Sequence, residues 1–254
     1  MAFSLENEHY LKIKQLFASY PHLIASDFED RIKQSIRVLH FEYLWGACKE
    51  AQIIANKNQS LILFDLIMSL YNKRRESHQA KFLLLHCFEN ALRSTMAVIT
   101  ANAFNQTQDD WFLQSSSNKT QQAIKQKVHN IATHRNLNIE NFNTFQVFDL
   151  FSMGDLEYIL ERHYSLFSPL FSQSQIYKGQ NLPIYGTKAH LISTIDRIRN
   201  ARNEIFHNKP TKIKFQKDIE ILLLRFGYNL FDATQIIDIQ RFIKLKFIYN
   251  KESK

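Results

Sequence analysis

The sequence contains few of the residues that interrupt regular secondary structure. Only five glycines and four prolines occur in 254 residues, and no proline lies between Pro21 and Pro169. Strand-rich folds need many tight turns, and tight turns draw heavily on these two residue types. Their scarcity therefore favours a mostly helical chain.

Cysteine and long apolar runs are also scarce. The two cysteines, Cys48 and Cys87, lie far apart, which argues against a disulfide framework or a cysteine zinc site. No apolar run approaches the roughly 18 residues of a spanning helix, and the N-terminal residues MAFSLENEHY lack a basic region followed by an apolar core. Neither a P-loop nor a dinucleotide fingerprint occurs. We therefore expect a soluble cytoplasmic protein with no membrane partner, no metal and no cofactor.

The hydrophobic residues, 45% of the chain, are enough to fill a sizeable core, and they recur at helical spacing. We predict a helix over 27–56 with Ser26 as its cap, and two helices or one bent helix over 61–104. Further helices are predicted over 119–135, after a cap at Ser152, and over 187–208. Trp111 and Phe112 are expected to anchor a polar loop over 105–118. The stretch DIEILLLRF is typical of a buried helix.

The C-terminal part has a second pattern. TKIKFQ and KLKFIYN alternate with period two, which leaves open a small β-hairpin near the C-terminus. No repeat, glycine-rich linker or low-complexity tract divides the chain. We therefore expect an all-α fold with one domain over residues 1–254, in which 211–254 form a basic C-terminal extension.

Positive charge is concentrated at the end of the chain. The formal net charge is +8, and residues 186–254 hold 14 Lys and Arg against 7 Asp and Glu, so +7 of the +8 lies there. Clustered cations gain affinity for polyanions by releasing phosphate counterions. A nucleic-acid partner is one interpretation, and a basic surface that only keeps the protein soluble is the other.

The stretch IDRIRNARNEIFHNKP, residues 195–210, contains three arginines, three asparagines and one histidine within an apolar helical pattern. Because a helix turns by about 100° per residue, Arg199, Asn203 and His207 share one face, with Arg202 at its edge. A neutral histidine can act as a general base. Alternatively, a histidine in the last turn can cap free carbonyl groups, while the arginines are surface charges.

Three stretches carry a resemblance to a known family. Arg202-Asn203-Glu204-Ile205-Phe206-His207 is similar to the R-N-x-x-x-H form of the R-x4-6-H motif of the HEPN superfamily. Glu89-Asn90-Ala91-Leu92-Arg93 resembles the helix of the Abi-like (abortive infection) family that ends in a glutamate followed by Leu-Arg. DLFSMGDLEYIL, with Ser152, Gly154, Leu156 and Leu160, resembles the family segment that precedes a helix. The resemblance spans roughly residues 30–210.

The resemblance implies an HEPN-like helical bundle that cleaves RNA without a metal, as a toxin or phage-defence effector. It implies a homodimer with the motif helix at the interface, and it leaves room for an antitoxin or regulator. Arg202, His207 and Asn203 would be catalytic, Arg199 would contact RNA, and Glu89 and Arg93 would support the site. The alternative is a non-catalytic module of the same fold that binds RNA or a protein.

Other polar clusters have simpler interpretations. Asp109 and Asp110 beside Trp111 could suggest a metal site, but no third ligand lies at a telling spacing, which favours a turn. His129 and His134 are interpreted as surface residues. Glu89 and Arg93, four residues apart, can also form a buried ion pair that braces the core.

Overall fold

The computed structural model describes residues 3–55, 62–236 and 246–247. Within these ranges the chain forms eleven α-helices, a 3-10 turn and one two-stranded hairpin. The helices are α1 (Leu5–Leu16), α2 (Phe28–Val38), α3 (Phe41–Ala55), α4 (Leu63–Phe104), α5 (Lys119–His134), α6 (Thr144–Asp149), α7 (Met153–Arg162), α8 (Tyr164–Ser172), α9 (Lys188–Phe206), α10 (Gln216–Arg225) and α11 (Leu230–Ile236). The 3-10 turn is Pro21–Leu23, and none of the helices in the described ranges is long and apolar enough to cross a membrane.

The all-α class and the presence of a small hairpin are confirmed. Strands β1 (Ile176–Tyr177) and β2 (Gln180–Asn181) pair antiparallel. Lys178 and Gly179 between them both have positive φ, 45° and 74°, as a two-residue hairpin turn of type I′ requires. The hairpin lies within the segment between α8 and α9. Residues 211–215 form no helix or strand, and of KLKFIYN only 246–247 are among the described residues.

The prediction of one continuous helix over 27–56 is wrong. The stretch 27–56 forms two helices, α2 and α3, separated at Leu39, whose backbone is extended (φ −100°, ψ 154°). Asp27, and not Ser26, is the N-cap residue of α2. The apolar spacing continues across the break because both helices bury residues in the same core, so periodicity alone does not locate it.

The other helix predictions agree with the structure. The stretch 61–104 contains a single continuous helix, α4, and α5, α9 and α10 lie where they are predicted. Ser152 caps α7: its hydroxyl accepts from Asp155 N at 3.2 Å, and Asp155 Oδ2 accepts from Ser152 N at 2.9 Å. This reciprocal pair is a capping box, which satisfies backbone donors that the helix cannot.

The described residues belong to two compact units. The first unit comprises Met1–Phe82 and Glu204–Lys212, and the second comprises Leu83–Asn203 and Ile213–Lys254. Helices α4 and α9 each contribute residues to both units. The expectation of a single domain stays a prediction.

Each unit has its own buried side chains. In the first, the largest fully buried residues are Ile13, Phe17, Phe28, Ile32 and Leu44. In the second they are Phe88, Trp111, Phe112, Phe148, Phe151, Phe167 and Phe171. The anchoring role predicted for Trp111 and Phe112 is therefore confirmed, since both are fully buried.

Buried polar groups fix the loops of the second unit. Arg225, 2% exposed, donates to the carbonyl oxygens of Leu170 (3.0 Å), Gln173 (2.6 Å) and Pro183 (3.0 Å). The first carbonyl lies in the last turn of α8, and the other two lie in the segment between α8 and α9 that carries the hairpin. The buried Arg225 therefore ties the end of α8 to a segment that has little regular structure of its own.

Candidate functional site

Helix α9 presents the apolar face that the sequence predicts. Leu191, Ile195, Ile198 and Ala201 are fully buried in the second unit. The polar residues Arg199, Arg202 and Asn203 of the same helix are half-buried. The buried stripe fixes the rotation of the helix, and this rotation sets the direction of the polar side chains.

The C-terminal end of α9 is fixed by backbone hydrogen bonds. Asn208 N donates to Ile205 O at 3.0 Å, and Lys209 N donates to Glu204 O at 2.8 Å. Asn208 has φ +55°, in the left-handed region that asparagine tolerates better than most residues. These features form a Schellman motif, and they make His207 the last residue before the left-handed turn.

The imidazole of His207 is exposed at this helix end. Within the described residues no hydrogen-bond partner of its ring is found. The carbonyls of Glu204 and Ile205 accept from backbone N–H groups, so the alternative in which His207 caps them is not supported. Next to it, the Phe206 ring stacks on Phe82 in the first unit, with centroids 4.3 Å apart. The helix end is therefore anchored without using the imidazole.

A buried carboxylate holds Arg202. Glu89 on α4 has a side chain only 10% exposed, and its Oε2 accepts from Arg202 Nε at 3.1 Å. Its other oxygen accepts from Arg93 Nη2 at 2.9 Å. Glu89 and Arg93, which the sequence singles out, thus form one hydrogen-bonded cluster with Arg202 of the motif.

Arg93 completes this cluster. Its Nη1 donates to the carbonyl oxygens of Phe148 (2.8 Å), in the last turn of α6, and of Phe151, in the link between α6 and α7. Asp149 lies 3.9 Å from its Nε, but that carboxylate is 70% exposed and therefore strongly screened by water. Two guanidinium groups thus share the buried Glu89, and the three side chains together carry a net charge of +1.

Arg199 has internal partners. Its guanidinium donates to Glu157 on α7 and, at 2.6 Å, to Asp196 Oδ1 on α9. The hydrogen bond to Glu157 raises the pKa of the Arg199 guanidinium, so the charge is retained. With two carboxylates on one cation, the geometry gives Arg199 the role of joining α9 to α7, and its contact with RNA stays a prediction.

The family-like segment around Ser152 lies next to this ion pair. Leu156 and Leu160 are fully buried, while Gly154 is exposed at the start of α7. A side chain at Gly154 would lie 3.9 Å from Arg199 Cδ. This segment therefore contributes packing for α9 rather than a reactive group.

The division between the two units falls inside the motif, after Asn203. Arg202, Asn203, Glu89 and Arg93 belong to the second unit, and His207 belongs to the first. Asn203 is half-buried, and its Oδ1 accepts a long hydrogen bond, 3.4 Å, from Arg202 Nη1. Within its own unit, Asn203 thus faces the guanidinium of Arg202.

Sequence reasoning missed a second histidine. In the first unit, the half-buried His78 on α4 binds the Tyr43 hydroxyl through Nδ1 at 2.5 Å, and the Asn208 side chain is another of its hydrogen-bond partners. Asn208 directly follows His207. The only sequence signal was the position of His78 one helical turn before Phe82, which is too weak to single it out.

Tyr43, His78 and Asn208 form a hydrogen-bonded trio, in which the protonation states of Tyr43 and His78 follow from burial. Burial raises the pKa of the Tyr43 hydroxyl to about 12, so the phenol keeps its proton. Burial, Lys81 and His40 lower the pKa of His78, in that order, while the bond to Asn208 opposes them. The imidazole is therefore neutral at neutral pH.

The competing metal interpretation does not fit the geometry. Asp109 accepts from Thr144 N at 2.9 Å and from Asn105 Nδ2 at 2.9 Å, so its carboxylate stabilises the loop before α5 and the start of α6. Among the described residues, no group of three His, Cys, Asp or Glu side chains is placed to hold a metal ion.

Comparison with known proteins gave no further assignment. No protein family, curated protein or solved structure matches this chain. Function is therefore inferred from the motif residues and from the side chains that hold them.

Proposed function

We propose that this chain is a metal-independent endoribonuclease that acts as a toxin or phage-defence effector in the cytoplasm. The observation that supports the proposal most is the anchoring of Arg202 by the buried Glu89, which is itself anchored by Arg93. An arginine that serves only as a surface charge does not need a buried partner 113 residues away in the chain. A cation that must meet a phosphate at a fixed position does need one.

The chemistry requires few groups. RNA carries its own nucleophile in the 2′-OH, so a site needs a base, an acid and a cation. His207, exposed and not used for capping, takes the 2′ proton or protonates the leaving 5′ oxygen. Arg202 stabilises the charge on the phosphorane, and Asn203 orients the imidazole or the phosphate.

Exposed lysines offer charge for the RNA backbone. Arg197 pairs with Asp218 at 2.8 Å, and Arg199 and Arg225 are also bound internally. Lys209, Lys212, Lys214 and Lys217 are exposed, and within the described residues no carboxylate pairs with them. These four lysines lie within the ten residues after His207, and their charge can serve phosphate contacts.

The active form is proposed to be a homodimer with the end of α9 at its interface. A single motif supplies one histidine of the required kind, while 2′-OH attack uses both an acid and a base. Two motifs meeting across a two-fold axis would supply both groups. An antitoxin or regulator that covers the motif is a further expected partner.

The test is an RNase assay with purified protein and total RNA. Wild-type protein should cleave RNA in EDTA, leave 2′,3′-cyclic phosphate or 3′-phosphate ends with 5′-hydroxyls, and spare DNA, which lacks the nucleophile. His207→Ala should abolish cleavage with a change in melting temperature of only a few degrees. His134→Ala, an exposed histidine on α5, is the matched control and should cleave normally. Products with 5′-phosphates, or loss of activity on chelation, would contradict the mechanism.

The second candidate is a non-catalytic module that binds RNA or a protein through the same surface. It is favoured by the fact that the Nε of Arg202 is already bound to a carboxylate, which is also what a purely structural arginine would show. Binding of RNA without any His207-dependent cleavage would favour this candidate.

A further inference from the structure

A cleft outside the proposed catalytic residues lies between α5 and α7 of the second unit. It encloses about 500 Å³. Its apolar floor includes Ile124 and Ile159, each 1% exposed. Its rim carries amide, aromatic and cationic side chains. A volume of this size can admit a small planar ligand.

The rim holds an exposed aromatic ring with two cations near it. Tyr158 on α7 is 47% exposed. Lys127 Nζ lies 4.8 Å from the centre of its ring, and the Arg162 guanidinium carbon lies 5.5 Å from it. An exposed tyrosine flanked by cations offers a stacking surface together with phosphate-binding charge, the combination used by single-stranded nucleic-acid sites.

The two cations have different roles. Lys127 is bound to Asp155 Oδ1 at 2.6 Å, with both side chains 25% exposed. Hydrogen bonds from Lys127 and Ser152 lower the pKa of Asp155 against the opposing effect of burial, so this pair stays ionic. Arg162 is exposed, and no carboxylate partner is found for it in the described part of the chain. Arg162 is thus the cation available to a phosphate.

Two amides on the α5 side of the cleft can recognise a base edge. Gln126 Nε2 donates to Asn130 Oδ1 at 2.8 Å, one helical turn away. This bond directs the Gln126 carbonyl and the Asn130 amino group to other partners. One acceptor beside one donor complements the hydrogen-bonding edge of an unpaired base.

We propose that this cleft binds an unpaired base of single-stranded RNA, stacked on Tyr158, with the adjoining phosphate on Arg162. The inference deepens the proposed function and rests on it, because RNA is taken as the substrate. It makes the cleft a holding site for the strand, separate from the residues that perform the cleavage. The base stacks, the amides of Gln126 and Asn130 meet its edge, and Arg162 neutralises its phosphate.

The experiment measures binding in the His207→Ala background, so that no RNA is cleaved. The probe is a fluorescently labelled single-stranded RNA of mixed sequence, followed by anisotropy. Tyr158→Ala should weaken binding about tenfold or more, whereas Tyr158→Phe, which keeps the ring, should bind like the parent. Arg162→Glu should weaken binding and make it less dependent on salt. Duplex RNA, whose bases are already stacked, should respond little to Tyr158→Ala.

Two control variants separate the cleft from general effects. Phe145→Ala removes another aromatic of the second unit, 51% exposed, and Arg135→Glu reverses another exposed arginine. Both should bind single-stranded RNA like the parent, and all variants should melt at similar temperatures. If Tyr158→Ala binds as tightly as the parent, or if the controls lose as much affinity, the cleft is not the site. Cleavage by wild-type protein with no effect of the cleft variants would overturn this inference alone, and wild-type protein without RNase activity would overturn the proposed function.

Discussion

At the scale of single residues, Glu89 is a buried carboxylate near the motif that two guanidinium groups share. It lies almost entirely out of solvent and accepts hydrogen bonds from two arginines. A buried ion pair adds little net stability compared with an apolar alternative, but removing one partner leaves an uncompensated charge. Glu89 is therefore expected to matter for stability as well as for the orientation of Arg202.

The first prediction is that Glu89→Gln destabilises the protein. The neutral amide leaves the positive charges of Arg93 and Arg202 without their carboxylate, so the free energy of unfolding should fall by on the order of 3 kcal/mol. Urea unfolding followed by circular dichroism measures the difference. Glu161→Gln, at an exposed position of α7, should change it by less than about 0.5 kcal/mol. Equal stability of both variants would mean that Glu89 is not a significant brace.

The second prediction is that Arg202→Lys does not preserve RNase activity. A guanidinium offers a planar, bidentate contact to a phosphate, and an ammonium cannot reproduce that contact. The rate should fall by about tenfold or more, since one lost bidentate contact corresponds to roughly 1.4 kcal/mol. Single-turnover cleavage of a defined RNA measures it, with the exposed Arg135→Lys as the control. Wild-type rates for Arg202→Lys would assign Arg202 to general electrostatics.

At the scale of elements, the end of α9 is fixed by contacts that do not involve His207 itself. The Schellman motif sets the backbone, and the Asn208 side chain binds His78 of α4. A left-handed residue at a helix end is a weak point unless its side chain or its neighbours hold it. The Tyr43, His78 and Asn208 trio thus links helices α3 and α4 to the turn that carries His207.

The third prediction is a pH dependence of stability that originates from His78. The folded pKa lies below the ordinary value of 6.5, so the unfolded chain binds the proton more readily. The stabilising contribution is therefore present above the unfolded pKa of about 6.5 and is lost as the pH falls from there through the folded pKa. The melting temperature of the wild type should drop more between about pH 7.5 and pH 5.5 than that of His78→Gln.

The control for this titration is His134→Gln, an exposed position on α5. This variant should keep the wild-type pH dependence, and His163, whose pKa burial also lowers, contributes equally to all three proteins. If the melting temperatures of wild type and His78→Gln change in parallel with pH, the group of Tyr43, His78 and Asn208 does not resist protonation in the way described.

At the scale of the whole molecule, the number of cations in a part of the sequence differs from the number that can bind an external polyanion. The C-terminal quarter holds most of the net charge, but Arg197, Arg199, Arg202 and Arg225 all have internal partners. Among the described residues of this quarter, Lys188, Lys209, Lys212, Lys214 and Lys217 are exposed and have no carboxylate partner. RNA binding should therefore depend steeply on salt through those lysines.

The fourth prediction concerns assembly. If two motifs combine to form one site, purified protein should elute with a mass of about twice 30.1 kDa in size-exclusion chromatography with light scattering. RNase activity per chain should fall on dilution below the dissociation constant of the dimer. A strict monomer at micromolar concentration with full activity would contradict this arrangement.

The sequence by itself determined the features that depend on residues close together in the chain. Few glycines and prolines, together with apolar spacings of three and four, are sufficient for the all-α class, the limits of α5 and α9, and the cap at Ser152, because each depends on interactions within a turn or two of helix. The buried anchors Trp111 and Phe112 were also predictable, since large apolar rings in a polar loop must be covered.

Only the tertiary structure decided which distant groups meet. The break at Leu39, the position of the hairpin, the contact of Glu89 with Arg202 across 113 residues, and the bond between His78 and Asn208 all arise from packing between elements far apart in the chain. Periodicity shows that a face is buried but not which face covers it. The element that packs against a helix decides whether an arginine on that helix binds a carboxylate or can bind RNA. The role of each charge therefore follows from the tertiary structure.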